Sequence, residues 1–171
     1  MSEIWVLVDT TAEGTVRNVT YEVLTAAVKL KEKNSATVAA VYVGENAGSI
    51  ESDLSKFGAE KIYKVESPAL KDFNPAAYAA AFSEVIKKHS PDIILGGNTL
   101  HNQDFLPRVA SKTSAGLIFD AVDLDISSSS VLSILIPDLK FHTKFNFLLT
   151  ISSHIVFALS ISAENKSSTT C

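Results

Sequence analysis

Residues 91–99 read PDIILGGNT and contain an apolar run followed by two glycines and then two polar residues. The run at residues 93–95 predicts a buried strand, because continuous apolar residues are typical of strands covered on both faces. Gly96 and Gly97 then predict a tight turn, and the residues after them favour the start of a helix. A strand that passes through a glycine turn into a helix is the repeating unit of a parallel α/β sheet.

The same alternation of short apolar runs and helix-length segments extends over the first 125 residues. Asn74 and Pro75 mark one helix start clearly, since a capping side chain precedes a proline at the first helical position. Strands are predicted at residues 4–8, 36–43, 61–65, 93–95 and 117–119. Helices are predicted at residues 19–33, 49–57, 75–89 and 103–113. This order predicts an α/β fold, a three-layer sandwich with helices on both faces of a parallel sheet.

The composition changes at a run of four serines, residues 127–130. Residues 1–125 hold all seven glycines and 29 of the 34 charged residues, whereas residues 126–171 hold eleven serines and five charges. Apolar and polar residues alternate after the change, which is typical of strands with one wet face. Antiparallel strands are predicted around residues 131–136, 141–147 and 153–159. The predicted organisation is a parallel α/β core at 1–126, an antiparallel extension of the same domain at 127–162, and a flexible tail at 163–171.

The overall charge limits the classes of partner. Lys and Arg number 15 against 19 Asp and Glu, which gives a net charge of −4. Nucleic acid is not expected as a partner, because a phosphate-binding surface needs clustered cations. Cys171 is the only cysteine, so no intrachain disulfide can form and a reducing compartment fits. With no signal peptide evident at the N-terminus, a cytoplasmic location is expected, or a mitochondrial matrix location in a eukaryote.

A membrane-spanning helix is the alternative for one segment. The 19 residues between Lys144 and Glu164 carry no formal charge, which approaches the length of a membrane span. Asn146, His154 and several serines lie within the segment, and polar groups at mid-span are costly in a bilayer. The strand interpretation is therefore favoured, and no membrane insertion is expected.

The carboxyl ends of the predicted parallel strands are the places to look for a ligand site. They fall at residues 9–11, 43–46 and 96–99, and the last is the most informative. Glycines allow close backbone approach, and a helix N-terminus offers N–H groups to an anion. The predicted cofactor-binding residues are Gly96, Gly97, Asn98, Thr99 and His101. A tight turn followed by a helix cap explains the same residues, so both interpretations stay open.

Asp104 and Arg108 stand four residues apart on a predicted helix. This spacing suits an ion pair within the helix, and it also suits contact of Arg108 with a partner subunit or a phosphate. We predict these two residues to be partner-docking. The sequence has no phosphate-loop, dinucleotide or nucleophile-elbow motif, and its histidines are scattered, so neither a catalytic site nor a metal site is predicted.

Five segments carry a resemblance to a known family. They are IWVLV (residues 4–8), VLTAA (23–27), FGAEKIY (57–63), PDIILGGNT (91–99) and LPRVA (106–110). In their order and spacing, residues 1–126 resemble the N-terminal domain of the electron transfer flavoprotein alpha subunit. Gly116, Leu117 and Asp120 close the pattern.

The resemblance implies an adenine-nucleotide-hydrolase-like sandwich, a Rossmann-like arrangement in which antiparallel strands extend the parallel sheet at its C-terminal end. It also implies a role in electron transport. In the family, the alpha subunit pairs with a related beta subunit, a separate C-terminal alpha domain holds FAD, and the complex carries electrons from dehydrogenases to a membrane oxidoreductase. We therefore expect a non-catalytic scaffold or docking domain of an electron carrier. Its expected partner is a beta-like subunit or a second copy of the chain.

The sequence departs from the family in its last 45 residues. The family motif R-P-x-Y-A-G-K is expected near residues 136–141, which read IPDLKF, and a later Arg-Pro is expected near residues 159–160, which read LS. The sequence also ends at Cys171, without the segment that holds FAD in the family. FAD is therefore expected by family resemblance only, and not on this polypeptide alone.

A nucleotide-binding domain of the universal-stress type is the second hypothesis. It would place AMP or ATP in the crevice near Asp9 and Asn98, which the fold class permits. Such domains carry a G-x-x-G stretch after the fourth strand, followed by G-[ST]. This sequence has no G-x-x-G, and its Gly116 is followed by Leu117. A stand-alone enzyme is the least favoured hypothesis, because no nucleophile–base pair supports it.

Overall fold

The structure, a computed structural model, describes residues 3–119, residue 121 and the segments 123–126, 132–135 and 156–159. Its strands are β1 (Glu3–Leu7), β2 (Thr37–Gly44), β3 (Lys61–Glu66), β4 (Ile93–Gly96), β5 (Gly116–Ile118), β6 (Asp123–Ile126), β7 (Leu132–Leu135) and β8 (Val156–Leu159). Its helices are α1 (Asn18–Asn34), α2 (Glu51–Lys56), α3 (Pro75–His89) and α4 (Leu100–Thr113), with a short 3-10 helix at Pro68–Leu70. Up to β5, strands and helices follow one another in the order that the sequence predicts.

Six of these strands form one parallel sheet in the order β3-β2-β1-β4-β8-β5. Trp5 of β1 therefore has Ala39 of β2 on one side and Ile94 of β4 on the other. The chain runs outward from β1 to β3 and then returns to the opposite side of β1 as β4. This reversal places a crevice at the carboxyl ends of β1 and β4, where ligands of such sheets bind. The predicted α/β sandwich with a mostly parallel sheet is confirmed.

Side chains of β1 alternate between two apolar layers, one on each face of the sheet. Ile4 packs in the layer that contains Leu24 of α1. Trp5 packs in the opposite layer, with Phe82 of α3 and Leu106 of α4. Each of these five side chains is less than 2% exposed. Full burial of a side chain of this size stabilises a fold by about 1.5–3 kcal/mol, so the two layers hold β1 at the centre of the domain.

The segments after β5 only partly follow the predicted antiparallel pattern. β6 and β7 pair antiparallel in a separate two-stranded sheet. β8 instead lies between β4 and β5 and runs parallel to both, so the antiparallel prediction is wrong for residues 156–159. The physical reason is visible in the sequence VFAL, because four consecutive apolar residues suit an interior parallel strand better than an edge with one wet face. The strand predicted at 141–147 and the tail at 163–171 lie outside the described residues.

The described part of the segment between Lys144 and Glu164 is strand β8. Across the residues that the structure describes, no helix has the length and apolar character needed to cross a bilayer.

Three helices end on a serine with left-handed backbone geometry, Ser35 after α1, Ser90 after α3 and Ser114 after α4, at φ 49°, 51° and 55°. This conformation costs residues with a Cβ about 1–2 kcal/mol relative to glycine. A glycine at these positions would avoid this cost. Part of the resulting gain in stability is offset by the greater backbone freedom of glycine in the unfolded chain.

We expect Ser90→Gly to raise the free energy of unfolding by about 1 kcal/mol, measured by urea denaturation. Ser90→Ala is the matched control, because alanine removes the hydroxyl but keeps the Cβ. An alanine variant as stable as the glycine variant would contradict the backbone explanation.

Candidate functional site

A buried carboxylate lies at the carboxyl end of β1. Asp9 is only 8% exposed, and its side chain accepts two hydrogen bonds from residues more than 80 positions away. The Asn102 amide nitrogen donates to Oδ2 at 2.8 Å, and the Thr99 hydroxyl donates to Oδ1 at 3.1 Å. The Asp9 carboxylate therefore ties the end of β1 to the first turn of α4.

The backbone of Asp9 is fixed from the opposite side by α1. Its N–H donates to the hydroxyl oxygen of Thr20 at 2.9 Å, and the Thr20 hydroxyl donates back to the Asp9 carbonyl at 3.3 Å. Thr20 and Asn102 are 0% and 2% exposed. Thr20, Asn102 and Asp9 are three of the four buried polar residues in the described part of the chain, so this network dominates its polar interior.

Burial raises the pKa of Asp9 above its ordinary value. The hydrogen bonds from Asn102 and Thr99 oppose this effect, as do the electrostatic interactions with Arg17 and His101, but the net direction is upward. A carboxyl group with a raised pKa in a crevice is a common feature of functional sites, and it also occurs in structural networks. Here both oxygens are hydrogen bonded within the domain.

The loop from Gly96 to Thr99 is held by contacts inside the domain. A Cβ on Gly97 would lie 2.4 Å from Cγ2 of Val19 on α1, so glycine is needed for close packing. The Gly97 carbonyl accepts the second hydrogen bond of the Asn102 amide, at 2.9 Å. The Thr99 oxygen accepts from the Asn102 backbone N–H at 3.3 Å and so caps α4. The predicted turn and cap are both present.

We expect Gly97→Ala to lower the free energy of unfolding by about 2 kcal/mol, because the new methyl group overlaps Val19. Adding Val19→Ala should recover part of that loss, in a double-mutant cycle followed by urea denaturation. Gly116→Ala is the control, since nothing lies within 4 Å of a Cβ at that position. Equal losses at the two glycines would contradict the packing explanation.

Two of the predicted cofactor-binding side chains are nearer the surface. Asn98 is half-buried, and its side-chain oxygen accepts from Gln103 at 2.5 Å. His101 is exposed and stacks on Phe73, with ring centroids 4.0 Å apart and planes 13° apart. Gly96 and Gly97 are buried. The structure therefore brings the five residues to one edge, and their contact with a cofactor stays a prediction.

Asp104 and Arg108 lie on the exposed side of α4. Their side chains are 51% and 53% exposed, and the charged atoms are 3.6 Å apart. An exposed pair with this spacing contributes only a few tenths of a kcal/mol to stability. Both groups are therefore accessible to another molecule, and their docking role stays a prediction.

A separate cleft of about 530 Å³ opens between the loops that follow β1 and β2. Tyr21 of α1 and Asp53 of α2 line it, together with Glu13 and residues 46–50. The two carboxylates give the rim a negative charge, which disfavours phosphate. Among the described residues, no group of three His, Cys, Asp or Glu side chains is placed to hold a metal ion.

Sequence reasoning missed Thr20 and Asn102. Both lie inside helices, where their residue types carry no special signal, and Asn102 is 93 positions from its partner Asp9. The one available signal was indirect: Asn102 is the third residue after the Thr99 cap, where side chains often bond around a helix start.

Comparison with known proteins gives the family. A family model described as "Electron transfer flavoprotein domain" matches residues 4–138. Electron transfer flavoprotein subunit alpha from Thermoanaerobacterium thermosaccharolyticum is 37% identical over 130 residues, which are 76% of this chain and 39% of that protein. The subunit of the same name from Bacillus subtilis is 33% identical over 119 residues, 70% of this chain and 36% of that protein.

A solved structure of a universal stress protein from Archaeoglobus fulgidus is similar at 15% identity and a TM-score of 0.44, over 66% of this chain and 87% of that one. The chain spans about two fifths of the length of the curated alpha subunits that it matches. Since the family match covers most of the residues, from the first strand to beyond β7, this chain belongs to the electron transfer flavoprotein domain family.

Proposed function

We propose that this chain is the non-catalytic scaffold domain of an electron carrier of the alpha-subunit type. It docks against a beta-like subunit or a second copy of itself, and FAD is held by another domain or polypeptide. The support is the family membership and the names of the relatives, which describe electron transfer. The expected cytoplasmic location, or mitochondrial matrix location in a eukaryote, belongs to the same proposal.

One observation carries the choice of a scaffold over a cofactor holder: in the crevice between β1 and β4, the domain's own carboxylate takes up the polar donors of the α4 start. The Thr99 hydroxyl and the Asn102 amide could donate to a phosphate, but they donate to Asp9 instead. A phosphate brought close to this buried carboxyl group would be repelled whenever the group is ionised, because charges interact strongly in a medium of low dielectric constant. Flavin and adenine nucleotides both carry phosphate, so the crevice is ill suited to either.

The cofactor part of the proposal is tested by purifying the chain, recording its visible spectrum and titrating it with FAD. We expect no bound flavin and no heat of FAD binding. The same titration tests the cofactor contacts predicted for Gly96, Gly97, Asn98, Thr99 and His101. Tight FAD binding by the chain alone, weakened by His101→Ala, would overturn the proposal and support those contacts.

The docking part is tested with an electron transfer flavoprotein beta subunit in sedimentation velocity, with the chain alone as the reference for self-association. We expect a complex with the beta subunit or a concentration-dependent dimer. A chain that stays monomeric in both measurements would remove the docking role.

Arg108 is the residue on which we expect docking to depend. Arg108→Glu should raise the Kd of the complex about tenfold, because it reverses the charge of an exposed side chain that we place in the interface. Lys87→Glu is the matched control, since Lys87 also lies on an exposed helix face and pairs with Glu84 at 3.0 Å. Equal effects of the two substitutions would place the interface elsewhere.

AMP or ATP binding of the universal-stress type is the second candidate. The sequence placed it in the crevice near Asp9 and Asn98, and the observation that favours nucleotide binding is instead the separate 530 Å³ cleft. Glu13 and Asp53 at the rim oppose it. Calorimetry with AMP and ATP decides between the two, and we expect no measurable binding. Micromolar binding that is lost when Tyr21 is replaced by alanine would establish the nucleotide function.

A further inference from the structure

The amino edge of the sheet holds an unusual cluster around the chain's single tryptophan. Trp5 is 0% exposed, and its indole N–H donates to Oε2 of Glu3 at 2.9 Å. The Tyr63 hydroxyl lies 3.3 Å from the same oxygen and 3.4 Å from Oε1. The Glu3 carboxylate therefore accepts hydrogen bonds from both the indole N–H and the phenol O–H.

The rings themselves are in contact. The Trp5 and Tyr63 centroids are 5.1 Å apart at an interplanar angle of 41°. In the described part of the chain, the other rings in contact with Trp5 belong to Phe82 and His89. Tyr63 is the phenol among these three neighbours. Indole and phenol are the aromatic side chains that lose an electron most readily. The phenyl ring of phenylalanine is much harder to oxidise.

Glu3 is the group placed to receive a proton from either ring. Its side chain is 13% exposed and forms an ion pair with Lys61. Burial raises the pKa of Glu3, but the hydrogen bonds from Lys61, Trp5 and Tyr63 outweigh that effect and the net direction is downward. The group is thus a carboxylate at neutral pH, with its oxygens within reach of both oxidisable side chains.

We propose that Trp5, Tyr63 and Glu3 form a relay that moves an oxidising equivalent from the buried indole to the half-buried phenol at the sheet edge. The inference rests on these contacts and is independent of the proposed function. At this edge of the sheet, a soluble thiol or ascorbate is the final reductant and restores the oxidised phenol of Tyr63.

The relay balances in three steps. An alkoxyl radical, reduced to an alcohol with a proton from water, removes an electron from the indole of Trp5, and the indole proton passes to Glu3, which leaves a neutral indolyl radical. Tyr63 then gives one electron to that radical, Glu3 returns its proton to the indole nitrogen, and the phenol proton of Tyr63 passes to Glu3. A soluble thiol or ascorbate finally supplies an electron and Glu3 returns its proton to the phenoxyl oxygen. The reductant becomes a thiyl or ascorbyl radical, and the proton that it loses passes to water.

Flash photo-oxidation of the full chain tests the proposal. Excitation at the long-wavelength edge of indole absorption selects Trp5, and a cobalt(III) ammine complex removes the ejected electron. Transient absorption separates the indolyl radical from the phenoxyl radical. In the wild type, we expect the indolyl signal to convert to the phenoxyl signal in a first-order step that is independent of protein concentration.

Three variants make the result specific. Tyr63→Phe keeps the ring contact and should abolish the phenoxyl signal while prolonging the indolyl signal. Glu3→Gln keeps both rings and should slow the conversion, because the proton acceptor is lost. Tyr78→Phe is the control and should behave as the wild type. A phenoxyl yield in Tyr63→Phe equal to that of the wild type, or indolyl decay in the wild type with no phenoxyl signal, would overturn the relay.

Mass spectrometry after steady illumination gives an independent readout. Without the phenol, the oxidation should stay on the indole, so oxidised Trp5 should accumulate in Tyr63→Phe beyond its level in the wild type. Equal oxidation of Trp5 in both proteins would contradict the proposal.

Discussion

Replacement of Asn102 by alanine is expected to lower the free energy of unfolding by about 3 kcal/mol. The side-chain amide of Asn102 serves two buried acceptors, Oδ2 of Asp9 at 2.8 Å and the Gly97 carbonyl at 2.9 Å. Truncation leaves both without this donor, and the loss is greater at Asp9 because that group carries a charge when ionised. Urea denaturation at neutral pH measures the change.

Gln103→Ala is the matched control for this substitution. Gln103 is the next residue on α4, it is exposed, and its amide also forms a hydrogen bond, to Asn98. We expect its loss to cost less than about 0.5 kcal/mol, as is usual for exposed positions. If Asn102→Ala and Gln103→Ala proved equally mild, the Asp9 network would not be the polar anchor of the crevice.

Asp9→Asn is expected to change how the stability of the domain depends on pH. Compared with the wild type, the variant should gain stability as the pH rises from acid to neutral. Because the pKa of Asp9 is raised on folding, the folded state binds its proton more tightly than the unfolded state. The associated stability is present below the unfolded pKa of about 3.9 and is lost as pH rises through the folded value. Asparagine is neutral, can accept from Asn102 and can donate to Thr99, so it removes this loss.

Urea denaturation of the wild type and Asp9→Asn over a series of pH values measures this effect. The stability of the variant relative to the wild type should rise between pH 4 and neutrality. Glu13→Gln is the control: Glu13 is exposed, and hydrogen bonds, first from Thr11, lower its pKa, so its linkage has the opposite sign. A wild type that gains stability relative to Asp9→Asn as pH rises would contradict the upward pKa direction at Asp9.

Local sequence signals predicted the core of the fold well. The strand at residues 93–95 and the glycine turn after it are both present. They could be predicted because an apolar run and two glycines determine the backbone over only a few residues. Asn74 caps α3 by accepting from the N–H groups of Ala76 and Ala77, as its position before Pro75 indicates. Both features depend on short-range geometry that the sequence displays directly.

Features that depend on distant pairing were not predictable in the same way. Asn102 reads as an ordinary helix residue, and only the sheet order brings it to Asp9. The position of β8 between β4 and β5 depends on which strands have an unpaired edge, and residues near β8 in the sequence do not show this. The alternation of apolar and polar residues at 153–159 predicted an antiparallel strand instead. The site was therefore foreseen in place, at the strand ends, but not in its hydrogen-bond partners.

The interior position of β8 has a consequence for how the chain is made. Ile93 of β4 pairs with Val156, which is synthesised 63 positions later, and β5 also borders this late strand. When translation reaches residue 126, the nascent sheet still lacks the strand that joins β5 to the rest. Unfilled strand edges invite pairing with neighbouring chains, so cellular yield should depend on chaperone binding before release from the ribosome.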